Sequence, residues 1–360
     1  MMKTEIKQLT THKNKRFSEI ELLRFFMALI VVFFHQYKPI IGRGFLAVEF
    51  FFILTGYLAM QSIDKNSETA STTSYLRDFL KRKITVFYPE LLIASIGGCL
   101  FSLYLTLVGE STFVGMIINW LSNVLQNLAL LRMSGIAGIS ALCEPAWYLS
   151  SMIIALIIVI PFIFRCKNLY FRIVIALFLY CFVLHNLKGL ERQSFADWVH
   201  FTYGGNLRAI AGILLGSAAY DIVKQIKTYS LSIPTKCVLS CSTILMLFLF
   251  IAILFSNTGS LDGIAVCIHF ATIIILFSNN TIFSFCFNNK IIYTLCSKLG
   301  KFSLPLYLGH IFPIYIHRSL FQQYELSLGL YLLFAVISGL FIATGAHYIR
   351  KYFNLKLFYR

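Results

Sequence analysis

One arginine and one histidine lie inside the first long apolar stretch of the sequence. Residues 20–35 read Ile-Glu-Leu-Leu-Arg-Phe-Phe-Met-Ala-Leu-Ile-Val-Val-Phe-Phe-His, so ten uncharged residues separate Arg24 from His35. In an α-helix, eleven positions are about three turns, which places both side chains on one face, about 16 Å apart along the axis. An imidazole can exchange a proton near neutral pH, and a guanidinium binds oxyanions. Because ionisable groups are costly within a membrane, the pair predicts a functional face lined by protein.

Glu49 is the next candidate for chemistry. His35 lies seven residues before Gly42, the centre of the turn over residues 38–44, and Glu49 lies seven residues after it. Two antiparallel helices joined by this turn would hold the two side chains at similar depth, and a neighbouring carboxylate would make the imidazole a better general base. In the alternative interpretation His35 only reaches toward the membrane surface, and Glu49 pairs with Arg43 or a lipid head group.

The composition predicts an all-α integral membrane protein. Of 360 residues, 58% are hydrophobic and only 13% are charged, whereas about a quarter of a soluble protein is charged. Repeated apolar runs of roughly 17 to 25 residues predict a bundle of about ten transmembrane helices that forms one domain over residues 1–360. The net charge of +16 does not indicate a nucleic-acid partner, because excess Lys and Arg in such proteins meets the lipid bilayer.

Ten spans are predicted, and the chain between the third and fourth is predicted as an outer loop. The spans are 17–38, 44–62, 84–108, 146–164, 169–187, 206–222, 235–255, 262–278, 300–318 and 327–348. The outer loop covers residues 109–145 and contains an interfacial or re-entrant helix over residues 113–131, which is interrupted by polar residues. With this assignment most Lys and Arg residues lie on the side of both termini, so the basic tail 1–16 and the C-terminus are predicted to be cytoplasmic.

The cysteines predict neither a disulfide framework nor a metal site. Nine cysteines are spaced irregularly, mostly within or beside apolar runs, and no C-x-x-C pair occurs. Buried small hydrophobic residues explain them best. The sequence offers no metal-ligand set, so no metal is expected.

Several motifs, in order along the chain, resemble the membrane-bound acyltransferase family 3. Arg24-x10-His35 is similar to the family's first-helix motif, and Gly44-x-x-x-Val-Glu49-x-Phe-Phe-x-x-Thr-Gly56 is similar to its second-helix pattern, with Thr55 in place of the commoner serine. The later segments that resemble the family are Lys81-Arg82-Lys83 with Pro89, Glu144-Pro-Ala-Trp147-Tyr-Leu149, and Ser303-Leu-Pro-Leu-Tyr307-Leu-Gly-His310.

The resemblance implies transfer of an acyl group, usually acetyl, from cytoplasmic acyl-CoA to a hydroxyl of a polysaccharide or lipid-linked sugar. His35 would take the acceptor's proton or accept the acyl group, and Arg24 would bind the amide arm or phosphate of the coenzyme. The implied location is a bacterial cell membrane, the inner one where there are two. Some family members carry an additional extracytoplasmic domain, so this chain would act alone or with a separate extracytoplasmic partner.

The remaining candidates each have a structural alternative. Lys81, Arg82 and Lys83 are the candidates for the coenzyme phosphates, although positive-inside anchoring also explains them. Glu144 and Trp147 are candidates for binding a sugar, while a Trp at a membrane interface is common. Tyr307 and His310 are candidates through the resemblance, and a hydrogen-bonded core histidine is the alternative. A last set could shape acceptor specificity: Trp198, Tyr203 and Arg208.

A different class of function also fits these observations. A transporter or flippase for a glycan or metabolite would use a buried arginine and histidine along a permeation path. The sequence shows no inverted repeat of interrupted helices, which disfavours transport. A receptor or scaffold is a third alternative, but it would not explain why Arg24 and His35 lie within an apolar span.

Overall fold

The chain is almost entirely helical in the residues that the computed structural model describes. Those residues are 17–36, 40–66, 71–136, 143–187, 189–190, 196–229, 231–256, 258–278, 280–283, 287, 289–320 and 326–353. The predicted basic tail 1–16 lies outside them. The predicted all-α membrane architecture is confirmed.

The helices differ widely in length. In chain order they are α1 (Ser18–Gln36), α2 (Ala47–Asn66), α3 (Thr72–Leu107), α4 (Phe113–Asn123), α5 (Trp147–Arg165), α6 (Leu169–Leu187), α7 (Gly204–Ile226), α8 (Ile233–Leu254), α9 (Asp262–Ser278), α10 (Lys290–Gly309), α11 (Ile311–Leu320) and α12 (Leu328–Tyr352). Single 3₁₀ turns over Gly44–Leu46, Glu144–Ala146 and Gly259–Leu261 precede α2, α5 and α9, and a π-helical turn over Val124–Leu128 extends α4. A small antiparallel hairpin of β1 (Trp198–Val199) and β2 (Thr202–Tyr203) leads into α7.

Eight helices of the described part of the chain are long and apolar enough to cross a membrane, judged by length and composition. They are α2, α3, α5, α6, α7, α8, α9 and α12. Two of the ten predicted spans are not among these eight. The first is α1, whose opening turns carry Glu19, Glu21 and Arg24. The second is the span predicted over residues 300–318.

The prediction of one continuous span over residues 300–318 is wrong, because the structure has two helices there. α10 ends at Gly309 and α11 begins at Ile311, with His310 between them. The His310 ring donates a hydrogen bond from Nδ1 to the carbonyl oxygen of Tyr307 at 2.6 Å. This side chain competes with the backbone N–H of Ile311, which would bond that carbonyl in a continuous helix. The break therefore holds a histidine in the bundle interior.

α3 is longer than the span predicted over residues 84–108. It begins at Thr72, where the Ser71 hydroxyl accepts a hydrogen bond from the N–H of Ser74 at 3.3 Å and so caps the first turn. Its 36 residues extend about 54 Å, which exceeds the ~30 Å of a bilayer's hydrocarbon core. The basic cluster from Lys81 to Lys83 is therefore part of a helix, which fixes the directions of its side chains.

The centre of the bundle is the close packing of α2 on α7. A methyl group added at Gly216 of α7 would collide with the carbonyl oxygen of Ile53, and one added at Gly56 of α2 would collide with that of Ile213. Both obstacles are backbone atoms, which cannot move aside as a side chain can. The two glycines therefore set the distance between the helices, as small residues commonly do in membrane bundles.

We expect Gly216→Ala to lower the stability of the protein by about 1–3 kcal/mol, because the added methyl group forces α2 and α7 apart. Thermal unfolding of the purified protein in detergent would measure the change. Gly329→Ala is the matched control, since no atom lies within 4 Å of a methyl group there, near the start of α12. Equal melting temperatures for the two variants would contradict the packing role of Gly216.

α1 packs against α10 and α2, which brings the first helix beside the broken one. Gly300 of α10 lies against the Glu21 side chain, where a larger residue would collide with the carboxylate. Near the other end of α1, the rings of His35 and His310 meet. The α1–α10 contact therefore positions three of the predicted site residues, which are Arg24, His35 and His310.

Candidate active site

Two neighbouring cavities lie between α1, α2, α3, α5, α7 and α10. The first, called here the Arg24 cavity, has a volume of about 300 Å³ and is lined by Arg24, Val48, Phe51, Lys83, Val86, Phe87, Tyr148, Leu149, Met152, Ser303, Leu304 and Tyr307. The second, called the histidine cavity, has about 30 Å³ and is lined by Val31, Phe34, His35, Phe45, Val48, Glu144, Pro145, Trp147, Arg208, Tyr307 and His310. Because Val48 and Tyr307 belong to both walls, the two cavities are adjacent.

The Arg24 cavity combines an apolar wall with two cations. Arg24 donates a hydrogen bond to Glu21 at 3.0 Å, and Lys83 lies on the α3 side of the cavity. The described residues that line this cavity include no carboxylate. Lys81 and Arg82 are exposed and do not line it. Of the three basic residues predicted to bind phosphates, only Lys83 therefore faces an enclosed space, and the role of the other two stays a prediction.

The histidine cavity brings His35 and His310 together. Their ring centroids lie 4.6 Å apart, although the residues belong to α1 and to the break after α10. A cavity of about 30 Å³ has room for about two water molecules, so it can admit a hydroxyl group but not a whole sugar.

Backbone carbonyls determine which ring nitrogen of each histidine carries the proton. His35 Nδ1 lies 2.9 Å from the carbonyl oxygen of Val31, and His310 Nδ1 lies 2.6 Å from that of Tyr307. A carbonyl oxygen can only accept a hydrogen bond, so Nδ1 must be the donor in both rings. In each neutral imidazole Nε2 is then the basic nitrogen, which is the arrangement that a general base requires.

The prediction that Glu49 would orient His35 is wrong. Glu49 is fully buried, and its carboxylate accepts hydrogen bonds from Tyr180 at 2.6 Å and from Arg208 Nε at 2.7 Å. Glu49 lines neither cavity. Similar depth in two helices does not fix the direction of a side chain, and Glu49 points toward α6 and α7. The backbone carbonyl of Val31, rather than Glu49, fixes the tautomer of His35.

Glu49 instead holds Arg208 at the histidine cavity. Arg208 is buried at 1% exposure, and its guanidinium carbon lies 5.6 Å from the ring centroid of Trp147, which is a cation–π distance. Sequence reasoning placed Arg208 near an outer loop but missed its ion pair with Glu49 and the role of Tyr180. The paired residues are 159 positions apart, so no local pattern could have indicated them.

Most of the acceptor-side candidates line one cavity, whereas Trp198 and Tyr203 line neither. Glu144, in the 3₁₀ turn before α5, and Trp147, the first residue of α5, line the histidine cavity together with Tyr307 and His310. Cys143 precedes them and is fully buried. Burial raises the pKa of the Cys143 sulfhydryl to about 12, so it stays a neutral thiol at pH 7 and is a poor nucleophile. The imidazoles are the better candidates for nucleophilic or base chemistry in this cavity.

Within the described residues, no group of three or more His, Cys, Asp or Glu side chains is arranged to hold a metal ion. The expectation that the reaction needs no metal stays a prediction.

The fold and the two cavities define a multi-pass membrane protein with paired histidines beside a cationic, apolar chamber. The sequence identifies the family. The family model described as an acyltransferase domain matches residues 17–349, and the chain belongs to this family, membrane-bound acyltransferase family 3. The resemblance predicted from the motifs is confirmed. Comparisons with curated proteins and with solved structures gave no match.

Proposed function

We propose that this membrane acyltransferase moves an acetyl or other short acyl group from acyl-CoA to a hydroxyl of a surface glycan, such as O-antigen, capsule or exopolysaccharide. The observation that carries the proposal is the adjacency of the two cavities across Tyr307. Arg24 and Lys83 in the larger cavity suit the anionic donor acetyl-CoA, and its apolar wall suits an acyl chain. The paired imidazoles in the smaller cavity suit activation of a hydroxyl.

The proposed chemistry is a direct acyl transfer. The acceptor oxygen attacks the thioester carbonyl while its proton passes to Nε2 of His35, and a C–O bond forms. The C–S bond then breaks, and the coenzyme leaves as a thiol after taking up that proton. A route through an acyl-histidine would use the same nitrogen as the nucleophile. In both routes the products are one ester and one free thiol.

The proposed orientation places the Arg24 cavity toward the cytoplasm and the histidine cavity toward the outer surface of a bacterial inner or single cell membrane. The distribution of Lys and Arg along the sequence supports this orientation. Arg24 and His35 are about 16 Å apart along α1, so the two residues would act on different parts of the donor. The acceptor would be a polysaccharide or a lipid-linked sugar, with or without a separate extracytoplasmic partner.

The test is an assay of the purified protein in detergent with radiolabelled acetyl-CoA and candidate glycans. We expect release of free coenzyme thiol together with label on the glycan. In the same assay Lys83→Gln should raise the KM for acetyl-CoA about tenfold, because one charge-assisted contact to the donor is lost. Lys290→Gln is the matched control, since Lys290 is exposed and lines neither cavity. Equal KM values for the two variants would show that Lys83 does not bind the donor.

The competing function is transport of a glycan or metabolite along the same buried polar groups. Uptake of a labelled glycan into proteoliposomes, without thiol release in the presence of acetyl-CoA, would favour that function over acyl transfer.

A further inference from the structure

The two cavities follow one another along the helices that line them. α1 contributes Arg24 to the Arg24 cavity and His35 to the histidine cavity. α10 contributes Ser303 to the first cavity, and His310, which follows its last residue, lines the second. Tyr307 lies between those two residues and belongs to both walls. Both helices therefore run from the Arg24 cavity toward the histidine cavity, so a ligand that fills the first cavity has two distinct ends.

The two cations lie at the end of the Arg24 cavity that is remote from the histidine cavity. Arg24 lies about 16 Å from His35 along α1. α3 crosses the bundle in the same direction as α1, because α2 runs the opposite way between them, and its lining residues begin at Lys83 and end at Phe87. Lys81 is exposed, and an exposed charge lies in water rather than in lipid. The cationic end therefore lies close to the membrane surface.

The cationic end carries more positive than negative charge. Arg24 is paired with Glu21 at 3.0 Å, and the Arg24 side chain is still 29% exposed. Within the described part of the chain, Lys83 forms no ion pair and the cavity wall contains no carboxylate. Two like charges that share one cavity repel each other, and an anion placed between them removes that repulsion. This end of the cavity is therefore suited to a phosphate.

The phosphopantetheine arm of coenzyme A is long enough to join the cations to the boundary of the histidine cavity. Roughly 13 bonds connect its phosphorus to its sulfur, which is about 16 Å when the arm is extended at about 1.2 Å per bond. The axial distance from Arg24 to His35 is also about 16 Å. A phosphate held by the two cations therefore lets the thioester reach Tyr307, where the two cavities meet.

The walls between the two ends suit the same arm. Val86 and Phe87 lie one turn after Lys83 on α3, so apolar groups adjoin the cation where the arm carries its two methyl groups. Ser303 donates to the carbonyl oxygen of Gly300 at 2.7 Å, and its oxygen remains able to accept a hydrogen bond from an amide N–H of the arm. The volume of about 300 Å³ is at the lower limit for small-molecule sites, which hold about 300–1,000 Å³. The cavity therefore has room for the arm but not for the nucleotide as well.

We propose that the Arg24 cavity recognises the phosphopantetheine arm of the donor, with the arm's phosphate at Arg24 and Lys83, the thioester beside Tyr307, and the nucleotide outside the cavity. The inference rests on the proposed acyltransferase function and deepens it. It names the substrate class as short-chain acyl-phosphopantetheine thioesters, of which acetyl-CoA is one member. Arg24 and Lys83 are binding residues in this proposal and form no bond to the acyl group.

The kinetic test uses three donors with the same reacting end: acetyl-CoA, acetyl-4′-phosphopantetheine and acetyl-pantetheine. The second donor lacks the nucleotide, and the third lacks the phosphate as well. We expect acetyl-4′-phosphopantetheine to be a donor with a kcat close to that of acetyl-CoA. Acetyl-pantetheine should have a KM about a hundredfold higher than acetyl-4′-phosphopantetheine, because the phosphate loses its contacts with two cations, each worth about tenfold.

Lys83→Gln tests where the phosphate binds. It should raise the KM of acetyl-4′-phosphopantetheine about tenfold and that of acetyl-CoA by the same factor, because both donors carry the arm's phosphate. The KM of acetyl-pantetheine should not change, since that donor has no phosphate to lose. Lys83→Arg keeps the charge and should preserve most of the preference for the phosphate. Lys290→Gln is the matched control and should leave all three KM values unchanged, because Lys290 is exposed and lines neither cavity.

Three results would overturn the proposal. Failure of acetyl-4′-phosphopantetheine to act as a donor would show that recognition requires the nucleotide. A higher KM for acetyl-CoA but not for acetyl-4′-phosphopantetheine in Lys83→Gln would show that Lys83 binds a phosphate of the nucleotide. An equal increase for all three donors, together with a lower melting temperature, would assign Lys83 to the scaffold.

A binding experiment that requires no acyl transfer distinguishes failure of this inference from failure of the proposed function. 4′-Phosphopantetheine should raise the melting temperature of the wild type in detergent more than pantetheine does, and Lys83→Gln should reduce that difference. A phosphate-dependent shift that needs Lys83, in a protein that releases no thiol from acetyl-CoA, would support the arm site and reject the transferase. Thiol release from acetyl-CoA without any phosphate-dependent shift would support the transferase and reject the arm site.

Discussion

His35→Ala is expected to lower the rate of acyl transfer by about 10³-fold, the middle of the range for loss of a general base. The hydrogen bond from Nδ1 to the Val31 carbonyl leaves Nε2 as the basic nitrogen, and an alanine offers no replacement. Thiol release and label transfer at saturating acetyl-CoA and glycan would measure the change. The KM values should change little, since the histidine acts mainly in the transition state.

The control for this variant is His185→Ala, which removes an exposed histidine of α6 and should leave the rate unchanged. His310→Ala should cause a loss similar to that of His35→Ala. If the two rings act as one unit, the double variant should be no slower than either single variant. A His35→Ala protein that inserts normally and keeps its full rate would exclude His35 from the chemistry.

Glu49→Gln is expected to destabilise the protein by about 3–5 kcal/mol. Arg208 is buried at 1% exposure, and the variant leaves its charge without the carboxylate that neutralises it. Thermal or denaturant unfolding in detergent would measure the loss. Activity should fall as well, because Arg208 lines the histidine cavity and packs on Trp147.

Two comparisons identify the cause of that destabilisation. Asp78→Asn breaks the exposed pair with Arg77 and should cost less than about 1 kcal/mol. The double variant Glu49→Leu with Arg208→Met replaces the buried pair by apolar residues of similar size and should recover much of the stability without recovering activity. A Glu49→Gln protein as stable as the wild type would show that Arg208 does not depend on Glu49.

The local part of the site could be predicted from the sequence, because it depends on helical periodicity. Arg24 and His35 lie in one uninterrupted helix, so their spacing alone placed them along one side of it. The same reasoning predicted eight of the ten spans correctly, since hydropathy and length decide them. The sequence of α7 also contains Gly212-x-x-x-Gly216, a pattern typical of close helix packing, and the structure packs Gly216 against the Ile53 backbone of α2.

The long-range part of the site could not be predicted, because it depends on the order in which helices pack. His310 meets His35 only because α10 packs on α1, and hydropathy gave no sign of the helix break that exposes its ring to the cavity. Glu49 was expected at His35, yet it faces α6 and α7, where Tyr180 and Arg208 bind it.

Tyr307 forms part of the walls of both cavities. The residue therefore lies between the proposed donor cavity and the histidine pair, and the acceptor hydroxyl must pass it to reach the thioester carbonyl. Water is a competing nucleophile at every such carbonyl, and water in the histidine cavity must pass the same residue. Tyr307 would then be the position at which a larger or smaller side chain changes the ratio of hydrolysis to transfer.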